Sequence, residues 1–344
     1  MKRESGLDLL RCLALLFVIT FHSFLNNGYY YEPQTGFAMW LAGSFRWLSV
    51  ACIGLFLMLS GFLKCEKTDL RNCYRGLIPV LLGYLIASAV SIPIRHFLFG
   101  EVLSFQTWCT YILSFYAVNY GWYVEMFLGL TLLVPFVNRL LKVLDDRGVL
   151  CLAALMLVLT ACPGATPLPV LPDYWRVLYP LSYYILGAVV KRFQPRIHPL
   201  IGILGALGIA ACLGTATVLS TDDFLNRALT WEFGDLWIVG IVLCLFLALY
   251  RLELPPWLGR ILAFGADGCY GGYLLSYLLD AWCYRLIPQW RTPDHYGLMF
   301  LGVTVPIFLA AVLMGWILER VANRLAGRRK GSAKAKPFVS SETV

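Results

Sequence analysis

Three ionisable side chains lie in one apolar stretch near the start of the chain, residues 5–26. Asp8, Arg11 and His22 interrupt a run that is otherwise apolar enough to cross a bilayer. Ionisable groups at membrane depth are costly, so they mark functional sites by default. An arginine holds phosphates or carbonyls through its planar fork of donors, and a histidine exchanges a proton near neutral pH. The stretch therefore predicts ligand binding at one position and acid–base chemistry at another.

The spacing of these residues predicts that they share one face of a helix. His22 follows Arg11 by eleven positions, which is almost three helical turns, or roughly 16 Å along the axis. Asp8 precedes Arg11 by about one turn, and Asn26 follows His22 by about one turn. A simpler interpretation is that Arg11 only snorkels to the lipid headgroups while His22 lies unused at the far interface. Both interpretations place this helix across the membrane.

The composition of the whole chain indicates a membrane protein. Of 344 residues, 59% are hydrophobic and only 14% are charged, whereas soluble domains carry about 25% charged residues. We predict an all-α fold, a polytopic transmembrane helical bundle of about ten spans. The predicted spans lie near 7–26, 43–63, 76–97, 122–140, 148–162, 174–192, 199–219, 234–250, 258–280 and 297–318.

The distribution of basic residues predicts the orientation of the bundle. With the N-terminus inside, 21 of the 28 Lys and Arg residues fall in inner segments and 6 in outer segments. Such an excess is typical of cytoplasmic loops, so both termini are predicted to be cytoplasmic. The net charge of +8 then needs no nucleic acid as a partner. Residues 1–326 form one predicted membrane domain, and residues 327–344 a basic, disordered cytoplasmic tail with a weak attraction to anionic lipid.

The eleven cysteines are scattered, mostly within apolar runs, with no C-x-x-C pair and no metal-ligand spacing. We interpret them as small apolar residues and predict no metal site. Nine of the 11 tryptophans lie toward the predicted outer side. They either line a vestibule in which aromatic faces pack on sugar rings, or anchor the outer interface while Lys and Arg anchor the inner one.

A basic cluster follows the second predicted span. Arg71 and Arg75 are one helical turn apart and lie near Lys64 and Lys67. Paired guanidiniums bind phosphate in a bidentate manner, so the cluster predicts a cytoplasmic site for a phosphate-bearing ligand. Anchoring at the inner interface is the alternative.

Small and acidic residues complete the set of candidate positions. Ser60 and Gly61 end the second span and predict close helix packing, and Ser60 is also a candidate for the ligand site. At the predicted outer side, Glu125 is expected to face the protein interior rather than lipid. The candidate supporting residues are Asp8, Trp122, Glu125, Glu232 and Asp235.

Several of these stretches resemble the membrane-bound acyltransferase family 3. The similar motifs are S-G-L-D-L-L-R-x(10)-H from residue 5, F-L-M-L-S-G-F at 56–62, the basic pair before Pro79, and W-Y-V-E-M-F-L-G-L-T-L-L-V-P at 122–135. P-L-S-Y-Y-I-L-G-A at 180–188 and Y-G-G-Y-L-L-S at 270–276 look like the later segments of the family. Two positions depart from its pattern. The arginines are four apart where the family often has three, and Ser276 stands where it often has a histidine.

The resemblance implies a multi-pass membrane O-acyltransferase of the plasma membrane. Members commonly move acetyl from cytoplasmic acetyl-CoA to a hydroxyl of an extracytoplasmic or lipid-linked glycan. Acyl-CoA is therefore the expected co-substrate, with no permanently bound cofactor. Arg11, with Arg71 and Arg75, is expected to hold the donor, and His22 to act as the general base. We favour direct transfer, and an acyl-histidine intermediate stays open.

A transporter of a polysaccharide or a small solute is the alternative function. Buried charges in ten spans fit a transporter as well as an enzyme. However, the second half of the chain carries no inverted repeat of the polar helix face formed by Asp8, Arg11 and His22. Many transporters would show such a repeat. A transporter also has no need of a one-sided donor site connected to a histidine.

Overall fold

A computed structural model describes residues 4–163, 173–220, 233–287 and 295–327. These residues form helices and no strand, so the all-α prediction is confirmed for them. Glu232 and the predicted tail from residue 328 onward lie outside the described residues. The helices, numbered in chain order, are α1 Ser5–Asn26, α2 Gly36–Ser49, α3 Ala51–Lys64, α4 Leu70–Arg75, α5 Leu77–Phe99, α6 Phe105–Leu113, α7 Trp122–Val143, α8 Asp146–Thr160, α9 Tyr179–Phe193, α10 Pro199–Leu219, α11 Leu236–Leu249, α12 Pro256–Asp267, α13 Cys269–Leu286, α14 Tyr296–Met299 and α15 Val305–Leu325.

Among the described residues, six stretches are long and apolar enough to cross a membrane, so the chain is a multi-pass membrane protein. They are Ser5–Asn26, Gly36–Lys64, Leu70–Phe99, Trp122–Val143, Pro199–Leu219 and Tyr296–Leu325. The other predicted spans also contain helices, but α8, α9 and α11 have only 15, 15 and 14 residues. Ten spans and cytoplasmic termini therefore stay predictions.

The predicted ninth span, 258–280, is interrupted and does not form a single helix. The chain breaks at Gly268 into α12 and α13. At this point it passes so close to α15 that a Cβ on Gly268 would lie 2.3 Å from the carbonyl oxygen of Val312. A hydropathy pattern detects the apolar run but not this close passage.

Contacts between helix termini define two ends of the bundle. At the first, which we call the Arg11 end, the Ser5 hydroxyl donates to the Leu252 carbonyl at 2.9 Å. At the second, the His22 end, the Trp47 indole N–H donates to the Thr217 hydroxyl at 2.9 Å. Both contacts join segments that the basic-residue distribution places on the same side of the membrane. This is the pattern that helices of alternating direction require.

Helix α1 lies at the centre of the bundle. It packs against α2, α3, α11, α12, α13 and α15, and Leu10, Ala14, Leu15 and Ile19 are fully buried along it. Because neighbours surround α1, any polar side chain it carries must be paired or must face an internal cavity.

Helices α3 and α9 pack closely through a pair of glycines, as predicted for the Ser60–Gly61 segment. A Cβ on Gly61 would lie 1.9 Å from the Tyr184 carbonyl oxygen, and one on Gly187 would lie 2.1 Å from that of Met58. Small residues permit such backbone approach between membrane helices. The contact fixes α3, and with it Ser60, against the rest of the bundle.

We expect Gly61→Ala to destabilise the protein by about 1–3 kcal/mol, because the added methyl group overlaps the Tyr184 backbone. Gly129→Ala in α7 is the matched control, since a Cβ there meets nothing within 4 Å. Thermal unfolding of the protein in detergent measures the difference. Equal stability of the two variants would contradict the packing described here.

Candidate functional site

A cavity of about 290 Å³ lies among α1, α3, α5, α7, α12, α13 and α15 near the Arg11 end. Its polar lining consists of Arg11, Ser60, Lys64 and Glu319 together with tyrosine side chains. The rest of the wall is aromatic or aliphatic. An apolar pocket with a few placed polar groups is the usual form of a small-molecule site.

Arg11 enters this cavity from an ion pair within its own helix. Its Nη1 donates to Oδ1 of Asp8 at 2.6 Å, and the two side chains are 30% and 1% exposed, respectively. Asp8 is thus buried behind the guanidinium, whose other N–H donors remain for a ligand. Asp8 and Arg11, which were predicted to be neighbours on one face of α1, are therefore in contact. Arg11 and Ser60 line the same cavity.

Two further charged residues line the cavity: Glu319, which was not singled out from the sequence, and Lys64, which was named only beside the basic cluster. Oε1 of Glu319 accepts hydrogen bonds from the backbone N–H groups of Tyr270 (3.0 Å) and Gly271 (3.2 Å) at the start of α13. A carboxylate is favoured at such a helix N-terminus. Nζ of Lys64 lies 4.5 Å from the centroid of the Phe127 ring, within range of a cation–π interaction. Glu319 directly follows the last predicted span, and nothing in its local sequence shows which helix it faces.

His22 lies eleven positions along α1 from Arg11, in a half-buried position. Its Nδ1 is 2.8 Å from the carbonyl oxygen of Val18. A carbonyl only accepts hydrogen bonds, so Nδ1 carries a proton, and in the neutral imidazole Nε2 then keeps its lone pair. A neutral imidazole with a free Nε2 is the form that a general base requires.

An aromatic layer, formed by Tyr120, Tyr123 and Tyr273, separates the cavity from His22. Tyr123 and Tyr273 line the cavity, with ring centroids 5.2 Å apart. The Tyr273 hydroxyl donates to the Tyr120 carbonyl at 2.7 Å, and the Tyr120 ring packs against His22 at a centroid distance of 3.8 Å. Arg11 and His22 therefore lie on opposite sides of this layer.

Two of the predicted outer residues lie near the His22 end of α1. The Trp122 ring packs on Phe233 at 5.8 Å between centroids, and Phe233 packs on Phe21 at 5.7 Å. Asp235, just beyond Phe233, is buried and pairs with Nη2 of Arg176 at 3.3 Å. The structure thus brings Trp122 and the segment before α11 to the same region as His22.

The expectation that Glu125 faces the interior is wrong. Its side chain is exposed, because Tyr123 and Val124 occupy the inward positions of the first turn of α7. An acidic residue in a first turn is favoured by the helix dipole without any buried partner. Glu125 is therefore not brought to the cavity or to His22.

Arg71 and Arg75 are exposed on α4 and do not line the cavity. However, α4 lies in the chain between Lys64 and Val80, which both do. The Tyr74 hydroxyl donates to the Leu132 carbonyl of α7 at 3.1 Å. The two arginines are therefore carried on a short helix that is held between two cavity walls.

The cysteines and other metal-binding side chains form no evident metal centre in the described ranges. None of the eleven cysteines forms a disulfide. No group of three His, Cys, Asp or Glu side chains in the described part of the chain is placed to hold a metal ion.

Comparison with known proteins agrees with the resemblance seen in the motifs. The family model described as an acyltransferase domain, that of acyltransferase family 3, matches residues 4–320. No curated protein and no solved structure matches the chain. The family match covers all of the cavity residues and His22.

We expect Arg11→Ala to lower the free energy of unfolding by about 1–3 kcal/mol, because it removes the ion pair of a buried carboxylate. Asp8→Asn combined with Arg11→Ala should recover most of that loss, since the amide leaves no charge behind. Thermal unfolding in detergent compares the single and double variants. If both lose the same stability, the ion pair does not compensate for the burial of Asp8.

Proposed function

The chain belongs to acyltransferase family 3, and from that premise we propose that it is an acyl-CoA-dependent O-acyltransferase of the plasma membrane. The group transferred is an acyl group, with acetyl the foremost candidate, and the acceptor is a hydroxyl of an extracytoplasmic or lipid-linked glycan. One observation carries this proposal. A single buried helix presents Arg11 to a cavity at one end and His22, with a free Nε2, beyond the aromatic layer at the other.

The cavity suits the acyl-pantetheine arm of the donor rather than its nucleotide. A volume of about 290 Å³ is at the lower limit of small-molecule pockets. The charges of Arg11 and Lys64 are balanced by those of Asp8 and Glu319, so the environment favours a neutral, amide-bearing chain. Arg11 and Lys64 donate to its carbonyls. The Ser60 hydroxyl donates to the Phe56 carbonyl at 3.0 Å, which leaves its oxygen to accept from an amide N–H.

The phosphates of the donor then remain outside the cavity, at the Arg11 end. Arg71 and Arg75 are exposed there on α4, one helical turn apart. Their guanidiniums offer the bidentate donors that phosphate groups accept.

His22 activates the acceptor in the proposed reaction. Nε2 takes the proton of the sugar hydroxyl, and the oxygen attacks the thioester carbonyl carbon that has passed through the aromatic layer. The C–S bond breaks, and the imidazolium returns its proton to the leaving thiolate. The products are the O-acyl ester and free CoA, and His22 ends in its starting state.

We expect His22→Ala to slow acyl transfer by about 10²–10⁴-fold, the usual contribution of a positioned base, with donor affinity unchanged. Arg11→Ala should instead weaken donor binding. His96→Ala is the matched control, because His96 is also half-buried and bonds a carbonyl through Nδ1, that of Glu101 at 3.0 Å.

Purified protein in liposomes, supplied with acyl-CoA and a glycan acceptor, tests these expectations. Near-parental transfer by the His22→Ala variant would contradict the assignment of the base. If the parent consumes no acyl-CoA but moves glycan across the liposome wall, the protein is a transporter.

We expect Arg71→Lys with Arg75→Lys to raise the KM for acyl-CoA several-fold with normal membrane insertion, because lysine keeps the charge but loses the bidentate fork. Arg139→Lys with Arg147→Lys is the control, since these arginines are also exposed and have the same predicted sidedness. If both double variants have the same KM, the α4 arginines only anchor the helix.

A further inference from the structure

The Tyr120 side chain connects His22 to a buried carboxylate. The ring planes of His22 and Tyr120 are inclined by 33° with centroids 3.8 Å apart, so the two rings are in close contact in a tilted arrangement. The Tyr120 hydroxyl donates to Oδ2 of Asp280 at 2.9 Å. Tyr120 precedes α7 and Asp280 lies on α13, so the three groups come from separate parts of the chain.

Asp280 is only partly satisfied by this contact. The residue is 1% exposed, and its Oδ1 has no hydrogen-bond partner among the described residues. It is energetically costly to bury a carboxylate when one of its oxygens accepts no hydrogen bond. A neutral acceptor would join Tyr120 to α13 without that cost, so a structural role does not account for an acid at this position.

We propose that Asp280, acting through Tyr120, positions His22 and stabilises its protonated state during acyl transfer; this rests on the function proposed above. When Nε2 takes the hydroxyl proton, the imidazolium forms against the face of the Tyr120 ring, which attracts a cation. The hydrogen bond to the carboxylate increases the electron density of that ring. The negative charge of Asp280 adds attraction that low-dielectric surroundings screen only weakly.

No proton leaves Tyr120 or Asp280 in this scheme. The proton moves from the sugar hydroxyl to Nε2 of His22 and then to the leaving thiolate. Tyr120 and Asp280 are therefore positioning residues. Neither residue lines the cavity that Arg11 enters, so their loss should lower kcat and leave the KM for acyl-CoA nearly unchanged.

Four variants distinguish the contributions to kcat of the Tyr120 ring, of its hydrogen bond to Asp280 and of the charge of Asp280. Tyr120→Phe keeps the ring against His22 and loses the bond to Asp280. Asp280→Asn keeps an acceptor for the Tyr120 hydroxyl and removes the negative charge. Each should lower kcat roughly tenfold. The double variant should lower kcat no further than either single variant does, because both substitutions interrupt the same connection. Tyr120→Leu removes the ring as well and should lower kcat on the order of a hundredfold.

Tyr184→Phe is the matched control. The Tyr184 hydroxyl is buried and donates to Oδ1 of Asn138, also at 2.9 Å, and this bond joins α9 to α7 without contacting His22. Its loss should reduce thermal stability as Tyr120→Phe does, without changing kcat per folded molecule. The assay is acyl transfer in liposomes, with folded protein quantified by gel filtration and thermal unfolding.

Parental kcat in both Asp280→Asn and Tyr120→Phe would overturn this inference alone, provided that the parent transfers acyl groups and His22→Ala does not. A strictly additive double variant would overturn it too. A parent without acyl transfer would overturn the proposed function, and this inference with it.

Discussion

The ion pair between Asp8 and Arg11 permits charged chemistry at the centre of an apolar bundle. Neighbouring helices surround α1, so an arginine there needs both a counter-charge and a polar space. Asp8 supplies the first from one turn away, at 2.6 Å. The cavity supplies the second, and Glu319 and Lys64 complete a charge-balanced lining. The remaining features of the site are arranged around the position that this pair gives to the guanidinium.

Tyrosine side chains provide much of the polar connection between helices. The hydroxyl of Tyr270 donates to the Val80 carbonyl at 2.7 Å, that of Tyr183 to the Phe233 carbonyl at 2.9 Å, and that of Tyr273 to the Tyr120 carbonyl. Each ring adds apolar packing while its hydroxyl meets a backbone acceptor on another segment. In a bilayer, where burial of apolar surface does not drive helices together, such contacts and close glycine packing hold the bundle. This explains a use for many of the 19 tyrosines.

Features that depend on one helix were predictable from the sequence, whereas features that depend on neighbours were not. The common face of Asp8, Arg11 and His22 follows from helical periodicity, and Gly61 marks close packing wherever its partner lies. Glu319 and Tyr273 reach the site only because α13 and α15 pack beside α1, which no local pattern specifies. The prediction for Glu125 was wrong because a carboxylate at the end of a span is favoured in two settings, beside an interior partner or at an exposed helix N-terminus, where it interacts with the helix dipole. In the structure, Glu125 is at the exposed N-terminus of α7.

The aromatic layer also bears on the choice between acyl transfer and transport. A bulky glycan crossing from one end to the other would have to displace Tyr120, Tyr123 and Tyr273 together. That movement would break the hydrogen bonds from Tyr120 to Asp280 and from Tyr273 to Tyr120. Neither oxygen of the buried Asp280 carboxylate would then accept a hydrogen bond from the described residues. A thin thioester arm needs only a gap between two rings, which side-chain rotation can open. The contacts that hold His22 in place are therefore the same ones that favour a narrow donor over a wide solute, and this supports transfer of an acyl group rather than passage of a glycan.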